Sequence, residues 1–260
     1  MLDTLFSQSP LFQLVAFSAH GAAVLLIAML FMRLVARACP DLQSVVPVGP
    51  SFASVTSIFA LLLAFHAAAI WSHRQTAERA FTQVQSAVYR FDDLVSSHGL
   101  NAPEVSTALR NYVHSAVKEE WLGMGNKMMS DSTEAAFLAL EITLLKFQVS
   151  QPPAVQTQLT SLINEIARSR SDRLWVGGHH TDGYIWLSVL LIGALSHFAI
   201  AAIHLDRPKA GRFMLTLFAV TTTIAYWSLG VMSDPYRDVD NLNPEVLLKF
   251  RIDRTELPEP

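Results

Sequence analysis

Three histidines, His20, His66 and His197, stand inside long stretches that contain no charged residue. An ionisable ring at that depth is costly to leave unpaired, so each is a candidate pathway or proton-relay group. The competing role is a hydrogen bond to a Ser, a Thr or a carbonyl, worth about 1 kcal/mol within a membrane. Phe52, Phe59 and Phe65 share a helical run with His66; bulky apolar rings beside a pore gate ions by dewetting, and elsewhere they fill cores. Arg168, Arg170 and Arg173 precede another apolar run, where guanidinium groups contact lipid headgroups or anions, or simply anchor the chain. His179-His180-Thr181-Asp182 places ligand types side by side, but adjacent side chains diverge and no HExxH pair accompanies them, so no metal site is expected. Asp92-Asp93 and Glu119-Glu120 are helix neighbours pointing about 100° apart, the wrong geometry for a shared acid–base pair, and they are expected on solvated faces. With no phosphate loop, GxSxG elbow or nucleophile triad, neither catalysis nor a cofactor is expected.

The elements that must position these residues are mostly apolar helices. Between Asp3 and Arg33 no charged residue occurs, and Leu11 to Met32 covers the roughly 30 Å of a bilayer core as a helix. A second charge-free run lies between Asp41 and Arg74, with its core at Val48 to Trp71. Gly183–Leu205 and Phe213–Ser233 are the third and fourth, separated by the basic hairpin Asp206–Arg212. Tyr184, Trp186, Trp71 and Trp227 fall near span ends, where amphipathic rings favour the interface. The expectation is an all-α integral membrane protein with four transmembrane helices: a first pair over 1–73, a helical soluble middle over 74–182, a second pair over 183–233 and a tail over 234–260.

The middle holds 10 of the 19 Lys and Arg and 12 of the 22 Asp and Glu. From Ser51 to His98 there is neither Gly nor Pro, while Phe81, Val84, Val88, Phe91 and Val95 recur at steps of three and four. The second span therefore continues into water as one helix of up to about 70 Å. His98-Gly99-Leu100-Asn101-Ala102-Pro103 ends it. Further helices are expected over Glu104–Leu122, with Val105, Leu109, Tyr112, Val113, Ala116 and Val117 on one face, over Asp131–Phe147 behind a cap at Ser130, and after Gln151-Pro152-Pro153, with Val155, Leu159, Leu162 and Ile166 inward. The seam on the long helix needs a partner, either within the chain or in a second copy. A short helix is expected near Glu245–Arg251.

Only 16% of the 260 residues are charged against 51% hydrophobic, and the net charge of −3 is spread without runs, which disfavours a nucleic-acid partner. One cysteine, Cys39, excludes an intrachain disulfide and any cluster built on several thiolates. The first apolar run lacks a basic n-region and is too long for a signal-peptide core, so it is read as a retained span.

Several short motifs in order carry a family resemblance. Phe59-Ala60-Leu61-Leu62-Leu63-Ala64-Phe65 with Trp71, Glu119-Glu120-Trp121, the arginines before Trp186, and the tail pieces Asp234-Pro235-Tyr236 and Asn243-Pro244-Glu245 together resemble the bacterial bestrophin-like family of unknown function. Val84-Gln85 and Asp238 depart from its pattern, which has an acidic residue followed by Ala and a Gly at those places. The resemblance implies two spans, a helical middle and two more spans, assembled as a homo-oligomer around an axial ion pathway, with anions as the ion, in a bacterial inner membrane. It also implies a cytoplasmic middle, whereas basic residues flank both sides: Arg33, Arg37, Arg207, Lys209 and Arg212 on one, Arg74, Arg79, Arg168, Arg170 and Arg173 on the other. The alternative function is a membrane-anchored sensor or scaffold whose middle binds a partner and whose spans transport nothing.

Overall fold

Long apolar runs without Gly or Pro breaks become helices, because in hydrocarbon a helix satisfies every backbone group within its own segment. In the computed structural model, residues 5–6, 8–38, 50–178, 183–236 and 242–248 are described; Cys39, His179–Asp182 and Asp238 lie outside them, as does the side chain of Phe52. Their elements are α1 (Pro10–Ala38), α2 (Pro50–Val95), α3 (Pro103–Ser115), a π-helical turn (Ala116–Gly123), α4 (Asp131–Gln148), α5 (Pro153–Gly178), α6 (Gly183–Ile203), α7 (Pro208–Met232) and a 3-10 turn (Pro244–Leu248). No strand occurs among the described residues. Four helices are long and apolar enough to cross a membrane: α1, the first part of α2, α6 and α7.

The chain divides into two compact units, one of residues 1–72 and 181–234, the other of residues 73–180 and 235–260. In the first, helices approach closely where small residues remove side-chain bulk. Gly21 of α1 faces Thr223, Gly230 of α7 faces Phe17 and Gln13, and Gly193 of α6 faces the Tyr226 hydroxyl and Phe59. Buried Phe17, Phe59, Ile70, Trp186, Val189 and Tyr226 form one apolar cluster, and Ala28, Met32, Ile200 and Leu215 belong to another. The Trp227 indole donates to the Pro10 carbonyl at 3.0 Å and joins α7 to the start of α1. Trp186, in the first turn of α6, is fully buried against Phe6 and Phe17. One expectation needs correction here. The basic hairpin shortens, because Pro208, with its preset φ and no N–H to lose, opens α7 at once.

In the second unit the seam of α2 is covered by its own chain. Phe81, Val84, Val88, Phe91 and Val95 are buried with Val105, Leu109, Val113 and Val117, and with Leu159, Leu162 and Ile166 of α5. Intrachain packing thus accounts for the seam. The turn after α2 closes through the Leu100 N–H to the Leu94 carbonyl at 2.8 Å and the Ala102 N–H to the Val95 carbonyl at 2.9 Å, with Asn101 at φ 50°. The helix expected over Glu104–Leu122 occupies that span but changes character in its last two turns. Tyr112/Val113, Ala116/Val117 and Glu120/Trp121 are three buried pairs spaced four apart. An α-helix would rotate each successive pair by about 40°, and the wider π turn reduces that drift, so the third pair stays on the inner face. Ser130 stands at the N-cap of α4, yet its hydroxyl bonds Ser132 instead of a backbone N–H. The tail does not stand apart: Leu242 and Leu247 enter the same core.

The loop after the π turn passes over the end of α5 at Gly177, where a Cβ would overlap the backbone carbonyl of Asn126. Backbone cannot yield as a flexible side-chain tip can. Gly177→Ala should therefore lower stability by about 1–3 kcal/mol, read as a fall in the thermal unfolding midpoint. Gly178→Ala, whose Cβ would meet Lys127 O at 3.2 Å, should cost visibly less.

Candidate functional site

The polar centre of the second unit is Glu120, fully buried on the π turn. Two arginines one helical turn apart on α5 reach it. Arg170 donates from Nη2 to Oε1 at 2.6 Å and from Nε to both carboxylate oxygens at 3.2 and 3.3 Å. Arg173 donates from Nη2 to Oε2 at 2.5 Å. The Ser130 N–H adds a bond to Oε1 at 3.3 Å. Arg170 also pairs through Nη1 with Glu134 at 2.6 Å, and Arg173 through Nη1 with Asn126 Oδ1. Asn126 is buried at φ 59°, a left-handed conformation that Asn tolerates better than most residues. The Arg173 guanidinium lies 4.7 Å over the Trp121 ring, which packs edge-on against Phe81 and Tyr236.

This arrangement balances charge away from water. A buried carboxylate is tolerated when paired and hydrogen-bonded, and Glu120 has four donor groups. Burial by itself would lower the Arg170 pKa, but the bonds it donates to Glu120 and Glu134 outweigh that and raise the value, so the guanidinium stays charged. Burial pushes the neighbouring Tyr112 hydroxyl up to about 12, although Arg173 and Arg170 pull it down, so the phenol stays neutral.

The expectation that Glu119-Glu120 forms a solvated face is corrected: Glu119 is exposed and Glu120 is not. Asp92 is likewise buried, unlike Asp93. The three arginines proposed to meet lipid or anions separate. Arg168 is exposed, while Arg170 and Arg173 are buried and spend most of their donors on Glu120, Glu134 and Asn126. Sequence reasoning missed Asn126 and the role of Glu120. The available signal was the inward pair spacing that runs from Tyr112/Val113 to Glu120/Trp121.

In the first unit the α2 residues fall on different sides. Phe59 is buried edge-on to Phe218 and Tyr226. His66, two turns on, is buried edge-on to Trp186 at 4.5 Å between ring centroids, and neither ring nitrogen has a hydrogen-bond partner among the described residues. Phe65 is 65% exposed. Its neighbours at helical spacing, Ser54, Ile58, Leu61, Ala68 and Ser72, are exposed with it. His197 bonds through Nδ1 with the carbonyl of Gly193 in its own helix at 2.8 Å, and His20, half-buried, lies 6.3 Å from the Tyr226 ring. Among the described residues no group of three or more His, Cys, Asp or Glu could hold a metal.

Comparison with known proteins adds a family and a fold. A family model described as "Bestrophin-like domain" matches residues 20–247. No curated protein matches the sequence. A substituted variant of a bacterial bestrophin homolog from Klebsiella pneumoniae superposes with a TM-score of 0.68 at 14% identity, covering 91% of this chain and 99% of that one. A crystal structure of the Klebsiella homolog phased on zinc gives a TM-score of 0.65 at 15% identity, covering 92% and 99%. Identity at that level speaks to the fold alone.

Glu120→Gln leaves two buried guanidinium groups facing a neutral amide and should cost about 3–5 kcal/mol. Glu119→Gln, one residue away and exposed, should stay within about 0.5 kcal/mol. Denaturant unfolding of the pair, followed by tryptophan fluorescence, checks the contrast.

Proposed function

The chain belongs to the bestrophin-like family, and from that premise we propose that it is a homo-oligomeric ion channel of the bacterial inner membrane, conducting anions, with α2 of each copy beside the shared pathway. The observation that carries this reading is the two-sidedness of α2. One side, with Phe59, His66 and Ile70, is buried in its own chain. The other exposes Ser54, Ile58, Leu61, Phe65, Ala68 and Ser72 at alternating steps of four and three. Hydroxyl-bearing residues at both ends and three bulky apolar side chains between them are the composition of a hydrophobic constriction with wetted mouths.

Within this proposal Phe65 narrows the pathway with Ile58 and Leu61, and Phe52, in the first turn of α2, stands near one mouth. Phe59 and His66, the other pathway candidates, act from the opposite side by holding α2 against Trp186 and Tyr226. His20 and His197 are intramembrane polar groups that support packing. Arg168 is the headgroup or anion contact of the three arginines, and the ion cluster at Glu120 keeps the soluble unit rigid. The termini and helical middle are assigned to the cytoplasm.

Purified protein in detergent should run as a discrete multi-copy particle, and liposomes containing it should release chloride. Leu61→Ala with Phe65→Ala should raise that flux about 10-fold, equivalent to ~1.4 kcal/mol off the barrier. A single-copy particle without flux would instead favour a membrane-anchored sensor or scaffold.

A further inference from the structure

The loop after the π turn carries Met128 and Met129 beside Trp175 of α5, and all three are more than half exposed. They rim a groove of about 570 Å³ whose walls include Phe137 and Leu174. Its acidic member, Glu134, is paired with Arg170 at 2.6 Å. An exposed apolar patch on a unit rich in charged residues marks a surface that meets an apolar neighbour.

The place of the patch along the chain identifies that neighbour. Helix α5 ends at Gly178, and α6, apolar enough to cross a membrane, opens at Gly183, so the end of α5 lies at most about 17 Å of chain from the span. The register of α5 on α2 gives the level more closely. Arg90 of α2 pairs with Glu165 of α5 at 3.5 Å, and further on Gln83 and Asp172 line one hollow, so the two helices run antiparallel. Thirteen residues on from Glu165 is Gly178, and thirteen back from Arg90 is Ala77. Ala77 stands three residues past Arg74, the first charge after the apolar run of α2, which is a rise of about 5 Å. The polar band of a bilayer is about 5–7 Å deep on each side of its hydrocarbon. The loop is held at this level, because the Lys127 carbonyl lies 3.2 Å from where a Cβ on Gly178 would stand.

We propose that Met128, Met129 and Trp175 rest in the boundary between lipid headgroups and acyl chains and dock the second unit on the membrane surface. The chemistry fits that place. An indole ring, with an apolar body and a polar N–H, favours the interface, and flexible thioether chains adapt to a disordered apolar medium. Apolar groups at this boundary sink about 5–10 Å into it. The buried ion cluster stands behind the loop, where Asn126 bonds Arg173 and the Ser130 N–H bonds Glu120, and so fixes the height of the two methionines between them. The contact requires α6 to cross the membrane and does not depend on ion conduction or on the number of copies.

The test uses the full-length protein in nanodiscs of phosphatidylcholine and phosphatidylglycerol. On a Cys39→Ser background, Met129→Cys and, separately, Ser150→Cys are labelled with the environment-sensitive fluorophore NBD. Ser150 follows the far end of α4, about 27 Å along that helix from the loop. The expected result is blue-shifted emission at position 129 that is mostly lost when the lipid carries a nitroxide on an upper acyl carbon and is insensitive to aqueous iodide, with the reverse at position 150. Iodide quenching at 129 as strong as at 150 overturns the proposal, because the patch then faces water. A probe at 129 shielded from both quenchers overturns it as well, with a second copy or residues 249–260 as the cover. Met128→Cys is read in the same way and serves where Met129→Cys does not fold.

Discussion

A carboxylate with no access to water must be surrounded by donors, and Glu120 imposes that condition on the whole second unit. Its donors come from α5, about fifty residues further along the chain, and from the backbone at Ser130. Meeting the condition needs Glu120 to point inward although Glu119 points out. It also needs the following loop to fold back so that Asn126 can take the remaining edge of Arg173. The π turn provides the first and the left-handed Asn126 the second. Gly177 permits the result by carrying no side chain where the loop crosses. Stability at this centre is conditional: removing one charge leaves the others buried and unpaired, so the cluster behaves as a unit.

Among its described residues the first unit has no comparable buried charge cluster. Hydrocarbon offers no hydrophobic drive between helices, so contact depends on fit, and glycines at Gly21, Gly193, Gly211 and Gly230 let aromatic and polar side chains approach the backbone. Around them Phe17, Trp186, Tyr226 and Phe59 interlock at ring separations of 5.8 to 6.4 Å, within the range in which offset-stacked, tilted and edge-on pairs are favourable. Helix α2 joins this cluster through few side chains, chiefly Phe59, His66 and Ile70. Much of its membrane portion is left exposed within the chain.

The membrane helices, α2 among them, carry apolar residues on more than one face, and so does α4 of the second unit. A helix that only served its own core would be polar on the other side. On α2 the second face lies in the apolar span, and on α4 it lies among charged residues. The first lies where lipid surrounds the helix; the second is an apolar surface among charged residues.

How much was legible before folding depended on the range of the interactions. The number of spans, the unbroken run of α2, the turn at His98–Pro103 and the start of α5 at Pro153 follow from local causes: charge-free length, apolar periodicity, and the conformational limits of Gly and Pro. So does the inward face of Val105, Leu109, Tyr112 and Val113. The sequence alone could not separate Glu119 from Glu120, Asp92 from Asp93, or Arg168 from Arg170 and Arg173, because neighbouring like residues differ only in what a distant segment places beside them. Nor could it tell that Phe59 and His66 turn inward while Phe65 turns out, since an apolar span has no polar side to mark its exposed face. Those assignments were decided by tertiary packing, where partners fifty to a hundred and sixty residues apart meet.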